Sequence, residues 1–300
     1  MTQLEIDAFL AVVKHGNIST AAKNLYISQP ALTRRIQIME NELGYPLFIR
    51  KKGERVARLT AQGRCFHDIA WKWQKLWSES TDLVLNNDHT PLLIASVGSF
   101  NQYMMPYVAP QYLANNHRLQ LFCIFSEEAY RQMESGLFDL AFIEMQDYTT
   151  HLSKGILSKP AYIESFVIVS RHDLPQHDGC VELAALNPEK EIYLKWNKEF
   201  VAWHDTVFYE NKQSYIILDD VTMAHAFLKE DYWFFASYTM GEYLKKQGAN
   251  VYMIHDGPPR QIIYYLTQSH HKEMLIEQFL HIIHTHIETL PHDKIESLLF

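Results

Sequence analysis

Cysteine is scarce in this 300-residue sequence, and the scarcity excludes two kinds of site. Cys65, Cys123 and Cys180 are odd in number and widely spaced, so they predict neither a disulfide framework nor a cysteine-based zinc site. Eleven glycines and eleven prolines are too few for a collagen-like or proline-rich chain. No apolar run approaches the roughly 18 residues that a membrane-spanning helix needs. Residues 1–10 lack the basic stretch of a secretory signal, and we expect a cytoplasmic protein without membrane contact.

The sequence does contain enough apolar material for two domains, together with an uneven charge. Hydrophobic residues make up 47% of the chain and charged residues 21%, and at ~150 residues per domain the length allows two cores. The net charge is −8. Residues 1–64 hold ten Lys and Arg against five Asp and Glu, a balance of +5, which leaves −13 for the remainder. This asymmetry predicts a polyanionic partner for the N-terminal end, with chance clustering as the alternative.

The first 44 residues have the periodicity of three short helices, the third being the longest. The first ends near Gly16, and Asn17 or Ser19 caps a second at residues 20–25. Ser28 is a good N-cap for the third helix, and Gly44 ends it. Its apolar residues share one side of the helix and are Leu32, Ile36, Met39 and Leu43.

The opposite side of this third helix presents polar groups that hydrogen-bond base edges and phosphates in a major groove. Any surface helix also turns polar residues outward, which is the alternative interpretation. The outward residues, with one at the N-terminal tip, are Gln29, Pro30, Thr33, Arg34 and Gln37.

A basic stretch after the third helix predicts a wing of two short strands around Gly53. Its cations would contact phosphates and supply salt-dependent affinity without sequence information. The cations assigned to this contact are Arg50, Lys51, Lys52 and Arg55.

Four stretches at fixed spacing between residues 9 and 63 carry a resemblance. They are Gly16-Asn17-Ile18-Ser19-Thr20-Ala21-Ala22, Ser28-Gln29-Pro30-Ala31-Leu32-Thr33, Leu43-Gly44 with Leu47-Phe48, and Leu59-Thr60-Ala61-Gln62-Gly63. In these stretches the chain resembles the LysR-type transcriptional regulators of bacteria. The resemblance implies that Gln29, Pro30, Thr33 and Arg34 contact bases, and that Arg50 and the wing contact the DNA backbone. Thr33 stands where serine is commoner in the family. The wing looks longer than usual, so no single wing residue is assigned a base contact.

Beyond Gly63 the sequence carries an apolar stripe with coiled-coil spacing. In the resembled family this element is the linker helix, which pairs antiparallel with a second subunit. The resemblance therefore implies a homodimer that pairs into a homotetramer, and two-fold symmetry implies an inverted-repeat operator in double-stranded DNA. A single amphipathic helix lying on its own domain is the alternative. The stripe consists of Phe66, Ile69, Trp73, Leu76 and Leu83.

From Leu92 onward, short apolar runs alternate with helical segments, which predicts parallel strands with crossover helices. The layout resembles the effector-binding domain of the LysR family, itself similar to periplasmic binding proteins. The predicted fold is multidomain: an N-terminal all-α winged helix-turn-helix domain, a linker helix, and an α/β two-lobed periplasmic-binding-protein-like effector domain. The expected bounds are 1–60, 61–88 and 91–300, with lobe I at 91–160 and 267–300 and lobe II at 161–266.

In open α/β sheets, ligands lie beyond the carboxyl ends of strands, and helix starts there can hold an anion. Ser99, Ser126 and Thr222 are predicted helix starts of this kind, and we hypothesise that they hold the carboxylate of a small effector. The alternative is that each caps its own helix. Aromatic residues of the second lobe suggest an aromatic pocket, although most such rings belong to cores. The full predicted effector-binding set is Ser99, Asn101, Ser126, Thr222, Trp196 and His204.

Enzyme motifs are missing from the sequence. Sixteen histidines include His281, His284 and His286 near the C-terminus, but no HExxH, P-loop, Gly-x-Ser-x-Gly or GxGxxG pattern accompanies them. We therefore predict no enzyme, cofactor or metal site. The predicted function is a sequence-specific DNA-binding regulator of LysR type whose small-molecule effector binds between two lobes and alters operator binding or bending, with RNA polymerase as a further partner. The alternatives are a constitutive regulator without an effector and a histidine-metal enzyme.

Overall fold

The computed structural model describes residues 1–49, 57–82, 90–144, 155–208, 214, 216–229, 231–268 and 272–300. The chain divides into two compact units. One comprises Met1–Thr90 with Ser135–Leu137, and the other comprises Pro91–Glu134 and Phe138–Phe300. Among the described helices, none combines the length and apolar character needed to cross a membrane.

The first unit is built mainly from helices. Its helices are α1 (Gln3–His15), α2 (Ile18–Asn24), α3 (Gln29–Leu43) and α4 (Ala61–Asp82), and its strands are β1 (Phe48–Ile49) and β2 (Arg58–Leu59). The two strands pair antiparallel, with Phe48 opposite Leu59. The predicted helical domain with a strand pair after α3 is confirmed.

Side-chain caps set the starts of the short helices. Asn17 Oδ1 accepts a hydrogen bond from the Thr20 N–H at 2.7 Å, and Ser28 Oγ accepts one from the Ala31 N–H at 3.3 Å. Gly16 adopts the left-handed conformation at φ 70°, which ends α1 at low steric cost. Asn17 is thus the cap of α2, which starts before the predicted residue 20.

The first unit has its own hydrophobic core, to which α4 contributes. The Phe9 ring lies 5.1 Å from the Phe66 ring of α4 and 5.4 Å from the Phe48 ring of β1. Gly63 permits the close approach of α4, because a Cβ at this position would lie 2.1 Å from the Leu47 carbonyl oxygen. The buried apolar residues of this core are Ile6, Ala8, Phe9, Val12, Ala21, Ala22, Leu32, Ile36, Met39, Leu47, Phe48, Phe66 and Ala70.

The second unit alternates strands and helices. Its helices are α5 (Gly98–Tyr103), α6 (Met105–Ala114), α7 (Ser126–Glu134), α8 (Lys198–Val207), α9 (Ala224–Phe227), α10 (Tyr238–Lys245) and α11 (Glu273–Ile287). Short 3-10 helices occupy Leu183–Ala185, Pro188–Lys190 and Val221–Met223. Its strands are β3 (Leu92–Ser96), β4 (Leu119–Cys123), β5 (Leu140–Ile143), β6 (Ile156–Glu164), β7 (Phe166–Ser170), β8 (Gln176–His177), β9 (Cys180–Val181), β10 (Ile192–Leu194), β11 (Ile216–Leu218), β12 (Trp233–Ser237), β13 (Asn250–Ile254), β14 (Gln261–Gln268) and β15 (Ile295–Ser297).

These strands form two main sheets, and only part of the predicted parallel pairing is present. The first sheet has the order β15-β6-β14-β5-β3-β4, in which β5, β3 and β4 run parallel. The second has the order β12-β7-β13-β9-β8, and β7 pairs antiparallel with both β12 and β13. The prediction of parallel strands is therefore confirmed for β3, β4 and β5 and for β10 with β11. It is wrong for β7, because hydrophobic runs indicate burial but not direction.

The sequence prediction missed strand β6, which pairs with β14 over eight positions. Two features conceal it: polar residues break its apolar pattern, and Pro160 lies in its middle. The register shifts between Ile263 and Tyr264, which pair with Tyr162 and Pro160 respectively. Proline lacks an N–H for the ladder, so its place beside an irregularity is the expected one.

Candidate functional site

Helix α3 turns its polar side to solvent. Gln29, Pro30, Arg34 and Gln37 are exposed and Thr33 is half-buried, whereas Leu32, Ile36 and Met39 on the other side are at most 4% exposed. The expected orientation of the helix is confirmed, because burial of the apolar stripe leaves the guanidinium and amide groups outward. These exposed groups can enter a groove of double-stranded DNA and hydrogen-bond base edges.

Two hydrogen bonds hold the N-terminal tip of α3. Ser19 Oγ on α2 donates to Gln29 Oε1 at 3.0 Å, so the helix before the turn orients the tip residue. Thr33 Oγ1 donates to the Gln29 carbonyl oxygen at 3.0 Å. The sequence marked Ser19 only as a possible helix cap. Its contact with Gln29 was not predicted, because the two residues lie on opposite sides of the turn between α2 and α3.

The strand pair next to α3 is tied to that helix by a buried carboxylate. Glu40 Oε1 accepts from the N–H groups of Leu47 and Phe48, at 2.8 and 3.3 Å. The side chains of Arg58 and Arg64 are exposed beside this strand pair. The predicted wing cations fall outside the described residues, and these are Arg50, Lys51, Lys52 and Arg55.

The predicted apolar stripe of α4 divides between two surroundings. Phe66 is buried in the core of the first unit and Trp73 packs against it, whereas Ile69, Leu76 and Trp77 are 52%, 64% and 50% exposed. The Trp73 and Trp77 rings stack with centroids 5.7 Å apart. Both interpretations of the sequence thus have support, because α4 lies on its own domain and still exposes an apolar strip. Leu83 falls outside the described residues.

In the second unit, polar groups meet where the parallel strands β3, β4 and β5 end. Ser99 follows β3, Ser126 follows β4 and Glu144 follows β5. Ser99 Oγ donates to Glu144 Oε1 at 2.5 Å, and Ser126 Oγ accepts from the Glu144 N–H at 3.2 Å. All three residues are half-buried, so solvent reaches part of each. We call these three residues the strand-end site.

Thr222 lies against the start of α5 and is half-buried. Its Cγ2 lies 3.1 Å from the place that a Cβ on Gly98 would take. The Thr222 hydroxyl donates to Asp220 Oδ1 at 2.6 Å, and its N–H donates to the same atom at 2.9 Å. Thr222 therefore borders the loop that carries Ser99, with a carboxylate beside it.

The other predicted effector residues have protein partners. Asn101 Oδ1 accepts from Ser96 Oγ at 2.6 Å. Trp196 is 6% exposed and its Nε1 donates to the Phe235 carbonyl oxygen at 3.0 Å. His204 is 9% exposed, and its Nε2 lies 3.0 Å from both carboxylate oxygens of Glu191. These contacts favour the alternative in which Trp196 and His204 are core residues, and we leave both out of the proposed site.

Three further side chains lie behind the strand-end site, on β6 and β14. Gln261 is opposite Glu164 in the strand register, and Tyr162 lies two positions before Glu164, on the same face. They are 1%, 2% and 1% exposed respectively. The Gln261 side chain donates a hydrogen bond to Glu144, and the Thr239 N–H donates to Glu164 Oε2 at 2.8 Å.

Burial dominates the electrostatics of the two carboxyl groups. It raises the pKa of Glu144 above its ordinary value, against the lowering effect of the hydrogen bonds from Ser99 and Gln261. It also raises the pKa of Glu164 to about 7, with Thr239 donating to the carboxylate and the charge of Glu144 adding to the rise. The pKa of Tyr162 is raised by burial and by both carboxylates. The two nearby carboxyl groups therefore give this part of the α/β unit an acidic character.

Comparison with known proteins agrees with the geometry of the first unit. Residues 4–64 match the family model described as "Bacterial regulatory helix-turn-helix protein, lysR family". This segment is a LysR-family helix-turn-helix domain.

The relatives with similar sequences are named as regulators. A probable nitrogen assimilation transcriptional activator of Synechocystis is 29% identical over 57% of this chain and 56% of its own length. The transcriptional regulator ClcR of Pseudomonas putida is 30% identical over 47% of this chain and 49% of its own length. The match therefore spans about half the length of these relatives.

Solved structures show the same fold over nearly the whole chain. Full-length CbnR complexed with its target DNA has a TM-score of 0.67 at 19% identity, covering 94% of this chain and 99% of that one. Full-length OxyR from Pseudomonas aeruginosa has a TM-score of 0.64 at 18% identity, covering 94% and 97%. The predicted fold class, a LysR helix-turn-helix domain followed by an α/β domain, is confirmed.

Sequence reasoning missed Glu144, Glu164 and Gln261 in the α/β domain. A signal existed for Glu144, since it directly follows the apolar strand Leu140–Ile143, and ligands lie at the carboxyl ends of parallel strands. No local signal marked Glu164 or Gln261, which are 97 residues apart and meet only through the pairing of β6 with β14.

The C-terminal histidines of the LysR-like chain are engaged in contacts with neighbouring side chains. His281 and His284 have ring centroids 6.2 Å apart, and His284 Nδ1 lies 2.8 Å from Ser297 Oγ. His286 stacks on Tyr107 at 4.9 Å. Within the described part of the chain, no group of three or more His, Cys, Asp or Glu is arranged to hold a metal ion.

Proposed function

We propose that the chain is a sequence-specific DNA-binding transcriptional regulator of LysR type, and that a small-molecule effector bound by the α/β unit alters its binding to DNA or the bend it induces. The observation that carries the proposal is the exposed side of α3, with Arg34 and Gln37 outward on a helix anchored by its apolar side. The LysR match of residues 4–64 and the names of the relatives support it.

In the proposed complex, α3 reads bases and the wing positions the domain on the backbone. Arg34 can bond a guanine through two N–H groups and Gln37 an adenine, while Gln29 contacts bases at the tip. Pro30 and Thr33 contribute contacts beside them. Arg50, Lys51, Lys52 and Arg55, with the exposed Arg58, supply phosphate contacts.

We further propose that α4 pairs two subunits. The exposed strip of Ile69, Leu76 and Trp77 is the apolar surface that an antiparallel partner helix covers. Two-fold symmetry then places two α3 helices on an inverted-repeat operator. Pairing of dimers into a tetramer and contact with RNA polymerase are extensions of this proposal.

The effector is proposed to bind at the strand-end site. Ser99, Ser126 and Thr222 are the residues proposed from sequence, and the structure brings the first two onto Glu144. Closure of the α/β unit around a ligand requires only a difference in affinity between two arrangements, of order 1–3 kcal/mol. A regulator whose DNA binding responds to no small molecule is the second candidate.

The test is selection of duplexes from a random pool by the full chain, followed by anisotropy titration of the selected duplex and its single-base variants. We expect an inverted repeat. Arg34→Ala is expected to lose about 1–3 kcal/mol of discrimination at one base pair of each half-site. The matched control is Arg171→Ala, an exposed arginine of the α/β unit, which is expected to leave discrimination unchanged.

Two results would contradict the proposal. If the wild-type chain enriches no duplex, it is not a sequence-specific DNA-binding protein. If Arg34→Ala discriminates among the variants as well as wild type does, Arg34 does not read bases.

A further inference from the structure

Glu144 lies near a second carboxyl group, and no described cation of the protein pairs with either of them. Ser99 and Gln261 both donate to its carboxylate, and Glu164 lies near enough for the charge of Glu144 to raise its pKa. Among the residues that the structure describes, no Lys, Arg or His forms an ion pair with Glu144 or Glu164. A buried carboxyl group beside a half-buried one is costly unless one is protonated or a cation joins them.

An unused acceptor next to Glu144 points to a ligand with N–H or O–H donors. Among the described residues, Gln261 Oε1 is buried and has no hydrogen-bond partner, although the same amide group donates to Glu144. Gln261 is 1% exposed, and a buried carbonyl oxygen without a donor costs free energy that a bound donor would recover. A donor bound there would lie near the Glu144 carboxylate, because the same amide group donates to it.

Asp220 adds a third carboxylate near the loop that carries Ser99. It is exposed and accepts two hydrogen bonds from Thr222, whose methyl carbon abuts Gly98. An anionic ligand approaching Ser99 would therefore meet acidic groups within the site and beside it.

We propose that the effector of this site is an organic cation, whose ammonium or guanidinium group donates hydrogen bonds to the Glu144 carboxylate and to Gln261 Oε1. This inference rests on the proposed function, because it assigns a chemical class to the effector of the strand-end site. It replaces the carboxylate ligand expected from the sequence, since the Ser99 hydroxyl that was expected to hold an anion already donates to Glu144.

An organic cation fits these acceptors better than a metal ion does. A bound calcium ion takes six to eight oxygen ligands, and magnesium keeps near-octahedral geometry with several waters. The described residues include no group of three metal-ligating side chains. An ammonium group offers three N–H donors to separate acceptors. This number matches the carboxyl groups of Glu144 and Glu164 together with Gln261 Oε1.

The experiment uses the full chain and probes of matched shape that differ in charge. The cations are benzylammonium, butylammonium and butylguanidinium; the anions are benzoate and butyrate; benzyl alcohol is the neutral probe. Each is added at millimolar concentration in a thermal-shift assay, and the best probe is titrated by calorimetry. We expect cations to raise the melting temperature while the anions and the alcohol do not.

The variant Glu144→Gln keeps the shape of the side chain and removes its charge. We expect it to weaken binding of the best cation about tenfold or more, the loss of a charge-assisted pairing. The matched control is Glu182→Gln, the same change at an exposed acid of the α/β unit, which is expected to bind the cation as wild type does.

A second measurement does not depend on how well the variant folds. A cation that pairs with Glu144 lowers its raised pKa, so binding to wild type in the acidic range where Glu144 titrates releases protons. Calorimetry in two buffers of different ionisation enthalpy measures that release. The absence of proton release overturns the proposal, as does equal binding by Glu144→Gln, stabilisation by benzoate or butyrate instead, or failure of every cation to shift the melting temperature.

Binding of a selected duplex by the same preparations separates the two proposals. If wild type and Glu144→Gln bind the duplex equally and no cation acts, the cation assignment fails and the regulator proposal stands. If wild type selects no duplex, the regulator proposal fails independently of what the cations do.

Discussion

At the scale of single residues, two kinds of charged group have opposite surroundings. Arg34 on α3 is exposed and available to a polyanion, while Glu164 is 2% exposed between paired strands. Exposed charges act through contacts with a partner and are screened by salt. A buried carboxyl acts through its protonation state, because burial disfavours the charged form.

The predicted wing gives the prediction for charges that contact DNA. Lys51→Ala is expected to weaken binding to all duplexes alike and to reduce the slope of log affinity against log salt by about one contact. Anisotropy titrations at several salt concentrations measure the slope. The control Lys198→Ala alters an exposed lysine of the α/β unit and is expected to keep the wild-type slope. An unchanged slope in Lys51→Ala removes this residue from the phosphate contacts.

Glu164 gives the prediction for buried charge. Its pKa is raised to about 7 in the folded chain, so between its unfolded pKa and about pH 7 the folded state holds a proton that the unfolded state has lost. Its contribution to stability is therefore greatest at low pH and disappears as pH rises through about 7. The titratable groups that face it are Glu144 and Tyr162, and the charge of Glu144 adds to the rise in the pKa of Glu164.

We expect Glu164→Gln to gain stability relative to wild type between pH 5 and pH 8, by on the order of 3 kcal/mol. Urea unfolding across this pH range measures the difference in free energy of unfolding between the two proteins. Titratable groups that both proteins share contribute equally and cancel in this difference. A difference that stays constant with pH would mean that Glu164 ionises normally in the folded chain.

At the scale of elements, a buried ion pair joins α11 to the first strands of the α/β unit. Lys272 Nζ, one residue before α11, donates to Asp139 Oδ2 at 2.7 Å and to the Pro91 carbonyl oxygen at 2.8 Å. Asp139 Oδ2 also accepts from the Leu93 N–H at 2.8 Å. The side chains of Lys272 and Asp139 are 3% and 1% exposed, so water does not screen their attraction.

Lys272→Met is expected to destabilise the chain by about 3–5 kcal/mol, because it leaves a buried carboxylate without its cation. The matched control is Lys190→Met, which breaks an exposed ion pair with Asp231 and is expected to cost at most about 1 kcal/mol. Urea unfolding followed by circular dichroism measures both changes. The double variant Asp139→Asn with Lys272→Met is expected to recover part of the loss. Similar losses of stability in Lys272→Met and Lys190→Met would contradict the role given to the buried ion pair.

At the scale of the whole molecule, the proposed assembly uses α4. The helix contributes Phe66 to the core of its own unit and leaves Ile69, Leu76 and Trp77 exposed. A helix with two apolar sides suits a dimer. One side fixes the helix on its own domain, and the other remains exposed for a partner helix.

Leu76→Asp is expected to weaken dimerisation about tenfold or more, since a carboxylate would be placed in an apolar interface. Sedimentation velocity over a range of concentrations measures the association, and a duplex with two half-sites should lose affinity while a single half-site does not. The control Leu113→Asp makes the same change at a leucine that is 49% exposed in the α/β unit. An unchanged dimer in Leu76→Asp would place the subunit interface elsewhere.

The sequence predicted the helical unit well because its signals are local. Ser28 and Asn17 cap helices within three residues, and the buried side of α3 repeats at helical spacing. Strand β6 was missed, because Pro160 and alternating polar residues hide a strand whose stability comes from its neighbour β14. Trp196 and His204 were assigned to a pocket, whereas both have buried partners inside the fold.

Residue order alone thus determined that α3 would carry Arg34 and Gln37 outward, because the helical repeat and its caps depend on neighbours a few positions away. Tertiary structure alone decided that Glu144, Glu164 and Gln261 would meet. These residues lie far apart along the chain, and only the pairing of β6 with β14 and the adjacency of β14 to β5 bring them together. The acidic character of the site depends on that long-range pairing, because Glu164 and Gln261 reach Glu144 only through it, and of the three only Glu144 has a local signal.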